Sequence, residues 1–160
     1  MKKVDFKDLL EENKHIISKL CRAYSNDQDE FEDYFQEVSL QIWKAYDSFK
    51  GESKISTWIY RITLNVCLSE IRKNKRRIST SPFKPDFDAA DHPSDLHQEK
   101  VDNLYNAIKT LKKVDRAIIL LYLEDKKYKE MAEILGINIS NIGVKVNRIK
   151  HELKLKLNGQ

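Results

Sequence analysis

The sequence predicts an all-α protein: two small helical domains joined by a flexible linker, the second built around a helix-turn-helix. Three observations predict it. Apolar residues recur at spacings of three and four on both sides of residues 79–96, no strand-like alternation or internal repeat stands out, and all three prolines fall inside that interval. With 160 residues, 41% hydrophobic and 34% charged, and only four glycines, the chain is one ordinary domain or two small ones, rich in helix.

The first domain is expected over residues 1–78 and holds three helices. One spans about Phe6 to Tyr24 and buries Phe6, Leu9, Ile16, Leu20 and Cys21. A second spans about Asp29 to Phe49, with Phe31, Phe35, Val38, Ile42, Ala45 and Phe49 alternating at four and three. The third, about Ile55 to Arg77, buries Ile55, Ile59, Ile62 and Val66. Stripes of this width require mutual packing.

Residues 79–100 read as an acidic linker, with Pro82, Pro85 and Pro93 among Ser, Thr and Asp. The second domain, 101–160, opens with helices over Val101–Leu111 and Val114–Glu124, burying Leu104, Ile108, Leu111, Ile118 and Leu121. A short helix from Tyr128, with Met131, Ala132 and Leu135 on its apolar side, stops at Gly136, which takes a left-handed conformation cheaply. Asn138 suits the N-cap of the last helix. That helix carries Ile142, Val146, Ile149 and Leu153 as its buried stripe and shows Asn141, Lys145 and Arg148 outward. Side chains of those types reach phosphates and base edges in a major groove.

Charge supports the same division. Residues 1–78 hold 15 basic and 13 acidic side chains, 79–102 hold 2 and 6, and 103–160 hold 12 and 6. Two basic segments around an acidic one fit nucleic acid contacted at two places, although a solubilising surface has the same signature. No apolar run reaches membrane-spanning length and the N-terminus lacks a signal-peptide core, so a cytoplasmic protein without membrane insertion is expected. Cys21 and Cys67 fall in apolar stripes and read as buried thiols. The four histidines are scattered, no metal-ligand spacing or nucleophile–base set is evident, and neither a catalytic role nor a cofactor is expected.

Two stretches of the first domain carry polar chemistry. Asp33, Gln36, Glu37 and Lys44 lie opposite the apolar stripe of their helix, as a solvated face or a docking surface for a protein. Trp58, Tyr60 and Arg61 follow a loop of small polar residues and lead to the basic run Arg72-Lys-Asn-Lys-Arg-Arg77. Aromatics interleaved with cations suit single-stranded DNA, offering π-faces to unstacked bases and charge to phosphates. The pattern is equally compatible with Trp58 in the core and the basic run as a solvated helix end.

Taken together these motifs resemble the extracytoplasmic-function (ECF) sigma factors, the small two-domain group of the sigma-70 family that directs bacterial RNA polymerase to promoters. Asp33-Tyr-Phe-Gln-Glu-Val38 with Ile42-Trp43 is similar to the family's polymerase-docking helix. Phe49-Lys-Gly-Glu-Ser53, Thr57-Trp-Ile-Tyr-Arg-Ile62 and Asn65-Val66 are similar to its promoter-melting segment, and Tyr128-Lys-Glu-Met-Ala-Glu-Ile-Leu-Gly-Ile137 to the start of its helix-turn-helix. The resemblance implies that Asp33, Gln36 and Glu37 dock on core RNA polymerase. It implies that Lys50, Ser53, Lys54, Thr57, Trp58, Tyr60, Arg61 and Asn65 read and open the minus-ten element, with Arg72, Lys73, Arg76 and Arg77 on nearby phosphates. Ser140, Asn141, Lys145, Asn147, Arg148 and Lys150 would read the minus-thirty-five element. The chain departs from the family's usual residues at Ser69, Gly143 and Val144. With no appended sensor domain in view, regulation by a separate anti-sigma factor, or by expression level, is expected. The rival reading is a stand-alone helix-turn-helix regulator, which leaves Trp58, Tyr60, Arg61 and the Asp33–Glu37 face without a role. A small nuclease would need a metal site that the sequence does not offer.

Overall fold

Aspartates start the first two helices, each by accepting a backbone N–H that the helix itself leaves unpaired. A computed structural model describes the backbone of residues 5–77 and 96–158, and the side chains of 5–73 and 96–158. Asp5 accepts from the Lys7 N–H at the start of α1 (Phe6–Tyr24). Asp27 accepts from the Glu30 N–H at 2.8 Å to open α2 (Gln28–Tyr46), while the Glu30 carboxylate accepts from the Asn26 N–H at 2.8 Å. α2 ends three residues before the expected Phe49. There the Ser48 N–H and hydroxyl both donate to the Ala45 carbonyl, and Gly51 turns the chain with φ of 74°. Phe49, freed from the helix, packs its ring on Trp58 with centroids 4.9 Å apart.

The third helix, α3 (Ile55–Arg77), packs against both α1 and α2, and the three enclose the first core. Ile17, Leu20 and Tyr24 of α1 meet Tyr34, Val38 and Ile42 of α2 and Ile59, Tyr60, Leu64 and Cys67 of α3 there, all buried. The expected stripes are corrected on all three helices, Phe6 of α1, Ala45 of α2 and Phe49 beyond it being only half-buried. Tyr34, at 2% exposure, occupies the position in the core assigned to its neighbours Phe31 and Phe35, which are half-buried at the edge. On α3, Ile55 and Ile62 are only half-buried, while Thr57, Tyr60, Thr63 and Leu64 lie inside. A helix seated between two others buries two faces, so no single stripe describes it. The buried Thr63 hydroxyl donates to the Ile59 carbonyl at 2.7 Å, and the buried Asn13 amide to the Leu9 carbonyl at 2.9 Å, which satisfies both within their own helices.

The second compact unit contains α4 (Leu96–Lys109), α5 (Lys113–Leu123), α6 (Tyr128–Leu135) and α7 (Ile139–Asn158). α7 packs on all three of the others. Its stripe Ile142, Val146, Ile149 and Leu153 is buried as expected, whereas on α4 the expected Leu104 is half-buried and Ala107 lies inside with Ile108. On α6 the buried pair is Met131 and Ile134, with Ala132 and Leu135 half-buried. α4 begins five residues before the expected Val101, inside the segment assigned to the linker; residues 96–100 are all exposed, so no apolar period marks that turn. The rest of the expected linker lies outside the described residues.

Two glycines of this unit have opposite roles. Gly136 ends α6 in the left-handed region (φ 68°, ψ 29°), its N–H donating to the Ala132 carbonyl at 2.8 Å. Gly143 sits inside α7, where an added Cβ would meet the Tyr128 ring at 3.5 Å, an ordinary contact. Gly136→Ala is therefore expected to destabilise the unit by about 1 kcal/mol and Gly143→Ala to stabilise it by about as much. Thermal unfolding of the two variants checks the signs.

Candidate nucleic-acid interface

Helix geometry sorts the expected site residues into those that share a face and those that do not. Residues seven apart lie two turns apart on one side of a helix. On α2 this aligns Asp33 with Leu40, Gln36 with Trp43 and Glu37 with Lys44. Asp33 and Gln36 are exposed, and Glu37 is half-buried and accepts from the Gln41 amide at 2.8 Å. The face is acidic and amidic at its N-terminal end and apolar towards its C-terminal end, because Leu40 (44%) and Trp43 (61%) stand open to solvent. Phe6 meets the Trp43 ring edge-on at 5.3 Å and holds it. Sequence reasoning had not singled out Leu40. The available signal was its position outside the apolar stripe, seven residues from Asp33.

On α3, Trp58, Arg61, Asn65 and Arg72 follow one another at three, four and seven residues and form a single stripe. Asn65 and Arg72 are exposed, Trp58 and Arg61 half-buried. Lys50 and Lys54, both exposed, flank the half-buried Ser53 in the loop that precedes the helix. Lys73 is exposed and pairs with Glu70 at 3.4 Å. Thr57 (5%) and Tyr60 (2%) are not on this surface: both are buried in the core. The side chains of Arg76 and Arg77 lie outside the described residues.

On α7 the Asn138 side chain accepts from the Ser140 N–H and hydroxyl, both at 3.1 Å, and so fixes the start of the helix. Ser140, Asn141, Val144 and Asn147 are exposed along its outward side, and Lys145 is half-buried at the margin. Two cations turn back towards α5 instead. Arg148 Nη2 donates to both oxygens of the buried Asp115 carboxylate, at 3.1 and 3.3 Å. Lys150 Nζ donates to the Tyr122 hydroxyl at 3.1 Å and lies 5.0 Å from the centre of that ring.

Reactive groups are placed for stability. Cys21 and Cys67 are both fully buried free thiols. A hydrogen bond with Cys21 and then burial, with the Glu70 carboxylate nearby, push the Cys67 thiol well up, so it stays protonated and inert at neutral pH. Among the described residues no group of three His, Cys, Asp or Glu side chains is placed to hold a metal ion, and no helix is long and apolar enough to cross a membrane.

Comparison with known proteins decides what these surfaces belong to. The Sigma-70 region 2 family matches residues 9–77, and the Sigma-70, region 4 family matches 102–153. RNA polymerase sigma factor SigZ of Bacillus subtilis (strain 168) is 32% identical, over 84% of this chain and 76% of its own length. The chain belongs to the ECF sigma factors of the sigma-70 family. SigW of the same organism, an ECF sigma factor, is 25% identical over 95% of this chain and 88% of its own. The sigma factor RpoE from Bartonella quintana, solved with the anti-sigma factor NepR, superposes with a TM-score of 0.80 at 27% identity, covering 96% of this chain and 97% of that one. As a sigma factor the chain directs RNA polymerase to promoters and is itself non-enzymatic. The region 2 match runs from within α1 to the end of α3, and the region 4 match from within α4 into α7, taking in the helix-turn-helix α6–α7.

Proposed function

We propose that this sigma factor divides its work among three faces. The α2 face of Asp33, Gln36 and Glu37 docks on core RNA polymerase. The α3 stripe of Trp58, Arg61 and Asn65, with Lys50, Ser53 and Lys54 beside it, reads and opens the minus-ten element, and Arg72 and Lys73 hold its phosphates. The outward side of α7, with Ser140, Asn141, Lys145 and Asn147, reads the minus-thirty-five element. Thr57 and Tyr60 support the second face from within the core. Such a factor works in the cytoplasm, and by analogy with the NepR complex of RpoE its free pool is held by an anti-sigma factor.

The observation that carries this reading is the α3 stripe. It places an indole, a guanidinium and an amide in line on one surface, and each extruded base needs stacking and hydrogen bonds to offset a few kcal/mol of unstacking. The Phe49 ring against Trp58 holds the indole in place before DNA arrives. Trp58→Ala is expected to leave initial promoter binding by holoenzyme largely intact and to reduce strand opening by roughly tenfold or more, the loss of one stacked base at about 1–3 kcal/mol. Permanganate reactivity of unpaired thymines around the start site checks it. Full reactivity in a stably folded Trp58→Ala holoenzyme removes the stripe from the melting step.

A further inference from the structure

The outward side of α7 is polar except at Val144 and, three turns further along the same side, at Leu155, which is 64% exposed. Val144 is 71% exposed, more than any other large hydrophobic residue among those described. It lies on the second helix of the helix-turn-helix, within one turn of Ser140 and Asn141 on one side and of Asn147 and Arg148 on the other, and directly opposite the buried stripe. Solvation does not favour such a residue there: a β-branched apolar side chain gains nothing from water and weakens a helix slightly. Lys145 stands at the margin of this face while Arg148 and Lys150 turn to α5, and the 12 basic against 6 acidic side chains of residues 103–160 favour a polyanion as its occupant. In a major groove the one apolar group a base pair offers is the 5-methyl of thymine.

We infer that Val144 is a specificity-determining residue of region 4, whose two methyl groups read the 5-methyl of a thymine in the minus-thirty-five element. Asn141 and Asn147 flank it with amides suited to adenine, whose N6 and N7 offer a donor and an acceptor. The inference rests on the reading of α7 as the groove-facing helix. It further assigns an A·T-rich preference to the segment beneath Val144, because thymine methyl and adenine edge belong to the same kind of pair.

The test uses holoenzyme assembled from core RNA polymerase and the full chain, with promoter fragments randomised across the minus-thirty-five segment. Wild type is expected to select thymine, on either strand, at one or two positions. Val144→Ser is expected to lose that selection and keep the rest, and Val144→Ile to retain it. At the selected position, replacing thymine by deoxyuridine removes only the methyl group. That exchange should weaken wild-type binding by roughly fourfold, the effect of one buried methyl, and leave Val144→Ser unaffected. Equal binding of thymine and deoxyuridine duplexes by wild type overturns the inference. Asn141→Ala/Asn147→Ala separates the two levels. If that variant loses minus-thirty-five selection while deoxyuridine is neutral, only the role of Val144 fails. If wild type selects nothing in the segment, the groove-facing reading of α7 fails with it.

Discussion

Arg148→Ala is expected to lower the stability of region 4 by about 2 kcal/mol, a larger loss than its half-open position suggests. The Arg148 side chain is 55% exposed, and a surface ion pair of that kind contributes little alone. Its partner decides the outcome, because the Asp115 side chain is only 7% exposed and accepts both bonds from the guanidinium. Deleting the arginine leaves a buried carboxylate with only the N-terminal dipole of α5 to offset it. Asp115→Asn removes that charge and lets Arg148 turn to water, so it should cost less, below about 1 kcal/mol, and the double variant should recover most of the loss of Arg148→Ala. Lys145→Ala provides the contrast: unchanged thermal stability, with the salt dependence of promoter binding shallower by about one counterion. Denaturation of the four variants measures this, and an unaltered Tm for Arg148→Ala would mean that the ion pair does not hold α7 on α5.

Reversing charge at Asp33 and Glu37 together (Asp33→Lys with Glu37→Lys) is expected to weaken association with core RNA polymerase by on the order of a hundredfold, since like charges brought face to face cost several kcal/mol. The fold should survive. Asp33 is exposed, and the half-buried Glu37 gives up only one hydrogen bond, from Gln41 within the same helix. Competition for core polymerase against the unaltered chain, alongside circular dichroism, reads both quantities. Unchanged association would remove the docking role from this face of α2.

Much of this architecture was legible in the residues, and the parts that were not share a physical cause. The caps at Asp5 and Asp27 emerge only in the structure, whereas the left-handed Gly136 and the Asn138 cap are local chemistry, visible within a few residues. So is the α7 stripe, because one side of that helix carries its buried apolar row. The family resemblance implies a DNA-facing role for Tyr60 and Thr57, and an aromatic and a hydroxyl look the same in a core as on a binding surface; only the packing of α3 between α1 and α2 separates them. Tyr34 fills the core beside Phe31 and Phe35 although it lies outside the apolar period that they mark. The Asp115–Arg148 pair joins residues 33 positions apart, beyond any helical period. The first turn of α4 has no buried residue to announce it.

Mixing the purified chain with core RNA polymerase, then measuring co-elution and run-off transcription on a library of genomic fragments, tests the central claim most directly. The account predicts a stable complex and transcript starts that core polymerase alone does not make, downstream of a shared pair of promoter elements. An active core preparation that neither retains the chain nor gains new starts would contradict it.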